Sequence, residues 1–212
     1  MSKIFDISLT IRPGMVVWPG DPAVELRRLS KIEEGDNCNV SFYSSSVHAG
    51  THVDAPYHFL AEGKTIETLP LEVLVGPAQV LQLPDEVEEI TAAVLDTVKF
   101  MPGVKRVLFK TRNVRIRASG KDEFDSTFVA VSADGAEWLV NHGVQLMGID
   151  YLSAAPFSQS RPPHEVFLKA EVILLEGINL DQVEPGLYTL YCLPLKLAGS
   201  DGAPARTILI QD

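Results

Sequence analysis

Apolar residues along this chain fall into short runs separated by polar, glycine- and proline-bearing segments, which predicts many strands and few long helices. Runs over residues 3–10, 23–29, 38–47, 79–83, 104–111, 144–150, 171–175, 187–193 and 206–210 each have the length of a strand. The run 171–175 is apolar enough for a core strand, with Glu176 and Gly177 at its end. Thr91 reads as the N-cap of a helix over 92–98, and Ser132 as the cap of one running through Trp138 to His142, closed by Gly143. His142 has no partner pattern and is expected to be exposed. The Ser- and Pro-rich segment after Asp150 reads as a loop as far as Pro163. The basic stretch with Arg112, Arg115, Arg117 and Lys121 reads as a solvated loop, because acidic residues follow at once; contact with an anionic substrate is its other reading. About nine strands with two or three helices predict a mixed α/β domain. It should be β-rich, because strand and helix do not alternate regularly in the first half.

The length of 212 residues suits one domain over 1–212 with a real core, and no apolar run approaches the ~18 residues of a membrane span. A net charge of -10 argues against nucleic acid as a partner, since phosphate binding wants a basic surface. The opening MSKIFDISLT lacks a charged region followed by an apolar one, so the expectation is a cytoplasmic protein. Cys38 and Cys192 stand apart, as reduced thiols do there.

One stretch changes the picture. Residues 47–60 read VHAGTHVDAPYHFL and hold His48, His52, Asp54 and His58, three of the chain's five histidines. All four share one parity, so in extended chain they point to one side; on a helix they would split into two pairs. A straight strand is excluded too, because ten residues of it span roughly 33 Å, too far for one ion. The chain must bend, and Gly50 and Pro56 are where it can. His48, His52 and Asp54 offer two imidazoles and a carboxylate, a set that suits a divalent transition metal and leaves positions open. His58 is a further ligand or a proton carrier beside the ion. Trp18, in the turn-rich RPGMVVWPGD, is a core anchor or the aromatic wall of a pocket, the anchor being the better reading of the residues alone.

The pattern HxGTHxDxPxH from His48 to His58 resembles the signature of the cyclase-like metal-dependent hydrolases, a family that includes bacterial kynurenine formamidase and isatin hydrolase. WPGD at Trp18 to Asp21, LEGINL at Leu175 to Leu180 and LPLKLAGSDGAPAR at Leu193 to Arg206 extend the likeness nearly end to end. The resemblance implies a β-rich α/β fold of the swivelling β/β/α type, usually a homodimer with pocket residues shared across the subunit boundary. It implies two divalent metal ions. His48, His52 and Asp54 would hold one, Asp54 would bridge, and His164 with Glu176 would hold the other. Zinc is the first choice from ligand type, with manganese open because of the two carboxylates. His58 matches the proton donor and acceptor, and Trp18 the wall of the substrate pocket.

Residue chemistry alone does not choose Glu176 over Glu165 or Glu171, and it leaves His164 balanced between a ligand and a polar residue at a helix start. The sequence also departs from the formamidase pattern, which carries a second aspartate and a His-His pair upstream of the second metal. Here that segment is Asp150-Tyr-Leu-Ser153-Ala-Ala155-Pro156, and a single His164 is followed by Glu165. The implied activity is arylformamidase, cleaving N-formyl-L-kynurenine to kynurenine and formate in tryptophan degradation. The alternative is a sister hydrolase of a cyclic amide or lactone. A non-enzymatic structural zinc protein is the rival of another class, and the distance of both cysteines from the histidine stretch counts against it.

Overall fold

The computed structural model describes residues 2–118 and 122–211. Lys121 and the side chain of Arg117 lie outside the described residues. Ten strands run in chain order: β1 (Lys3–Asp6), β2 (Glu25–Ser30), β3 (Val40–Ser44), β4 (His52–Asp54), β5 (Val75–Gln82), β6 (Arg106–Lys110), β7 (Leu146–Ile149), β8 (Ile173–Glu176), β9 (Gly186–Pro194) and β10 (Gly202–Gln211). The α-helices are α1 (Leu71–Leu74), α2 (Ala92–Leu95), α3 (Asn113–Ala118), α4 (Ala133–Asn141) and α5 (Arg161–Lys169).

Eight strands form one sheet in the order β1-β10-β4-β8-β7-β6-β5-β9, and β9 pairs back onto β10, so the sheet closes like a barrel. From β5 through β6 and β7 to β8 the pairing is parallel; β8–β4, β4–β10, β10–β9 and β9–β5 are antiparallel. β2 and β3 form a separate hairpin. Alternation along the strands then separates two cores. Val53, Ile173, Leu175, Val80, Leu108 and Ala203 point into the ring. Leu174, Val107, Phe109, Met147 and Ile149 point outward and meet Leu139 and Phe167 of the covering helices.

Several elements differ from the sequence-based expectation. The bend at Gly50 (φ 70°) leads into β4, a three-residue strand too short to show a period. The loop expected as far as Pro163 ends instead at Ser160, and its last three residues are the start of α5. Pro162 and Pro163 occupy its first turn, where no intrahelical N–H is required and a fixed φ helps. His164, Phe167 and Leu168 then recur at i, i+3 and i+4 and form its buried face. The basic segment is not all loop either, since Asn113–Ala118 is helical. Its start is held by Asp150, which accepts from the Thr111 amide (2.7 Å), the Thr111 hydroxyl (2.9 Å) and the Asn113 amide group (3.1 Å). The first strand stops at Asp6, four residues early; the Ile7 amide still donates to the Thr207 carbonyl of β10, but its carbonyl turns to accept from the Asn179 amide.

Candidate metal centre

β4 lies between β10 and β8, and His52 sits directly opposite Glu176 across the antiparallel ladder. Cross-strand partners share a face, and His52 and Asp54 share it by alternation. Val53 and Leu175 point the other way into the barrel. The polar face therefore looks outward, and α5 covers it with His164. All four side chains are buried, none more than 3% exposed as a residue.

Hydrogen bonds fix the two rings. His52 Nδ1 donates to the Gly50 carbonyl (2.9 Å) and His164 Nδ1 to the Ser160 carbonyl (2.6 Å). Each Nε2 lone pair is thereby aimed at the carboxylates. His52 Nε2 lies 3.2 Å from Glu176 Oε2 and 3.5 Å from Asp54 Oδ1; His164 Nε2 lies 3.4 Å from Glu176 Oε1 and 3.7 Å from Asp54 Oδ2. The Ala154 amide donates to Glu176 Oε1. His52 Nε2 and Asp54 Oδ2 are buried with no hydrogen-bond partner. Leaving such atoms unsatisfied costs about 1–3 kcal/mol each, and a cation among them would satisfy both. The donor set thus fits a divalent ion.

Among the described residues two groups of ligand atoms converge, His52 with Asp54 and Glu176, and His48 with Asp54 and His58, sharing Asp54. This grouping differs from the one the resemblance implies. His52 shares a group with Glu176, and His48 faces the rim. His48 Nδ1 is 2.9 Å from Asp54 Oδ1, and its Nε2 is 2.7 Å from Asp201 Oδ2. His58, on a single helical turn at Pro56–His58, has its Nδ1 3.2 Å from the same Asp201 oxygen. Its ring lies 4.0 Å from that of His48.

The charges are strongly coupled. Burial would push His48 down, but Asp54 and Asp201 outweigh it and raise His48 to about 10. Burial would raise Asp54, yet the surrounding histidines, His58 and His48 foremost, hold it well below the carboxylate range. Burial lowers His58, with Asp54 opposing. In His164 burial is again outweighed, here by Glu176 and Asp54, and the ring sits above its ordinary value. The His48 hydrogen bond lowers Asp201 to about 2. Burial thus holds His58 toward its neutral form, while the carboxylates beside His48 and His164 favour their charged forms.

Above this floor is a cavity of about 180 Å³, lined by the four histidines and Glu176 together with Trp18, Asp21, Phe59, Leu152, Ser153 and Ser160. Trp18 serves both readings left open by the sequence. It packs at 5.3 Å from Phe124 and from Phe157, and it lines the cavity. Phe59 stacks on His164 at 4.3 Å.

The rival carboxylates are elsewhere. Glu165 pairs with Arg161 and Lys169 on the exposed side of α5, and Glu171 pairs with Lys64. His142 is exposed and stacks on Trp138. Asp150, near the departing segment, holds the start of α3 and does not line the histidine cavity. Cys38 is exposed and Cys192 buried, both free. Sequence reasoning misses Asp201, because AGSDGAPA has no histidine near it and no spacing of its own. Only the β10–β4 pairing, Gly202 opposite Asp54, brings it to the site.

Comparison with known proteins gives a consistent picture. The family model described as "Putative cyclase" matches residues 5–156. Cyclase-like protein 1 of Arabidopsis thaliana is 44% identical over 218 residues, covering 99% of this chain and 85% of that protein. A solved structure described as a "Potential Metal-Dependent Hydrolase With Cyclase Activity" is 34% identical, with a TM-score of 0.85 over 100% of this chain and 99% of that one. Isatin hydrolase A from Labrenzia aggregata shares the fold at a TM-score of 0.80 and 19% identity, over 99% of this chain and 93% of that one. No helix among the described residues is long and apolar enough to cross a membrane.

Proposed function

This chain belongs to the cyclase family, and from that premise we propose a metal-dependent amide hydrolase that cleaves N-formyl aryl amines, N-formyl-L-kynurenine first among them. The observation that carries the reading is the placement of half-buried His58 beside a buried cluster with two orphaned ligand atoms, under an aromatic wall. Residues His52, Asp54, His164 and Glu176 would hold the ion, zinc before manganese, with His48 contributing from the rim and a second ion sharing Asp54. Such an ion supplies hydroxide near neutral pH and polarises a carbonyl.

The chain's own residues do the rest. Trp18 packs against the aryl ring and orients the formyl group toward the floor. His58, held toward its neutral form by burial, accepts a proton as water adds to the formyl carbon. It returns that proton to the aryl nitrogen as the C–N bond breaks, leaving formate and the free amine. Leu152 and Phe59 keep bulk water from the other sides.

A second reading, hydrolysis of a cyclic amide or lactone, is favoured by one feature. The described cavity lining holds no Arg or Lys to meet the carboxylate of formylkynurenine. Elemental analysis of purified protein, then assays on N-formyl aryl amines and on isatin with and without chelator, separate the two. Chelator-sensitive formamide hydrolysis supports the first reading, and turnover of isatin alone supports the second. A metal-free protein that cleaves either one sinks both. We also propose a homodimer in which a second copy covers the β2–β3 hairpin, whose Leu26, Leu29, Val40 and Tyr43 are exposed. Sedimentation as a monomer would overturn it.

A further inference from the structure

Asp201 lies just before β10, more than 140 residues from both histidines it touches. A single oxygen, Oδ2, stands 2.7 Å from His48 Nε2 and 3.2 Å from His58 Nδ1. Both rings can donate to it, and a carboxylate accepting two ring N–H groups fixes the tautomer of each. His48 with Nε2–H on Asp201 presents its Nδ1 lone pair toward Asp54 Oδ1, 2.9 Å away. Two acceptors at that distance need a proton or a cation between them. His58 with Nδ1–H on Asp201 presents Nε2 as the free base.

The backbone is shaped for this arrangement. A Cβ on Gly202 would come within 2.8 Å of His48 Cε1 and 2.9 Å of the Val53 carbonyl, so only glycine lets β10 approach the ring. The Asp201 carbonyl accepts from the Ala55 amide at 2.9 Å, between Asp54 and the turn that carries His58. The Asp201 backbone is thereby held beside both rings. At 39% side-chain exposure Asp201 stands beside two of the histidines that line the cavity and is no part of the apolar core.

We infer that Asp201 is a positioning residue that sets two histidines at once, turning His48 Nδ1 toward an ion beside Asp54 and His58 Nε2 toward the substrate. The kinetic half of this inference rests on the hydrolase reading; the metal-binding half does not. Outer partners of metal-binding histidines are worth about 10–100-fold in affinity or activity.

The test uses the full chain as wild type, Asp201→Asn and Asp201→Ala. Zinc affinity is read by competition with a chromophoric chelator, ring tautomers by ¹⁵N NMR of the zinc-loaded protein, and kcat and KM on an N-formyl aryl amine. Asp201→Ala should weaken zinc about 10–100-fold, abolish the Nδ1–H preference of His58 and lower kcat by a similar factor, with KM within about twofold. Asp201→Asn, which keeps one acceptor oxygen and the shape, should fall between, and it carries the test if the alanine variant does not fold. Unchanged affinity and unchanged tautomers in a folded variant would overturn the inference. Affinity loss with the His58 tautomer intact would overturn its His58 half. If the wild type cleaved no formamide, the hydrolase reading would fail, while affinity and tautomers would still decide the role of Asp201.

Discussion

The floor of the cavity and its rim are built by opposite means. On the floor, His52, Asp54 and Glu176 are fixed by strand pairing, with His164 pressed onto them from α5, and every ring is oriented by a backbone carbonyl. Backbone partners do not move with side-chain rotamers, so this layer is rigid before any ion arrives. The rim is held by side chains. His48, His58 and Asp201 share two hydrogen bonds, with side-chain exposures of 15%, 28% and 39%. A group that must take up and hand over a proton needs this looser, wetter setting. The contrast teaches that rigidity here follows the demand for a fixed charge geometry and relaxes at the rim, where the proposed function would have a proton move.

The comparison can be broken first at the floor. Asp54→Asn should reduce bound metal to background and remove turnover, an effect larger than the ~100-fold seen for outer partners, because both ligand groups share Asp54. Elemental analysis with the activity assay checks it. Metal retained at the wild-type level would show that the floor is not the binding layer.

Next comes the rim. His58→Ala should lower kcat by about 10²–10⁴ with much of the metal still bound, the range expected of general acid–base catalysis. A near-normal rate would remove His58 as the proton carrier.

A smaller effect sharpens the division by pH. Ligands must lose their protons before an ion binds, and neighbouring carboxylates hold His164 above the ordinary imidazole range. Zinc affinity should therefore rise with pH by up to ~10-fold per unit for each proton displaced. His58→Ala should leave that slope as it is, because burial already holds His58 toward neutrality. Chelator titrations at several pH values would measure it, and a flatter slope in the variant would place His58 among the ligands.

The smallest change is expected at the wall. Trp18→Ala removes one ring from a cluster that keeps Phe124, Phe128 and Phe157, so kcat/KM should fall about 10-fold, mostly through KM. Steady-state kinetics decide it, and an unchanged KM would put Trp18 outside the substrate's reach.

Some residues at the site can be read from the chain because their signal is local. His48, His52, Asp54 and His58 share a parity, and the residues that bend the chain between them lie in the same stretch. Gly50 takes φ 70° and Pro56 starts the turn that carries His58. Strand positions follow from local apolar runs, and most are right to within a few residues. Helix α5 escapes because two prolines resemble a loop until their place in a first turn is known, and only four of its residues are buried.

What the sequence determined by itself was chemistry within a dozen residues of chain: a bent segment of imidazoles and a carboxylate, and a β-rich α/β domain around it. What only the tertiary structure decided was partnership at a distance. Glu176 is chosen over Glu165 and Glu171 because antiparallel register sets it across from His52. Asp201 joins the two rim histidines because closing the barrel lays the start of β10 beside β4. Ring closure depends on the pairing of strands far apart in the chain, and no local pattern of residues encodes which ends will meet.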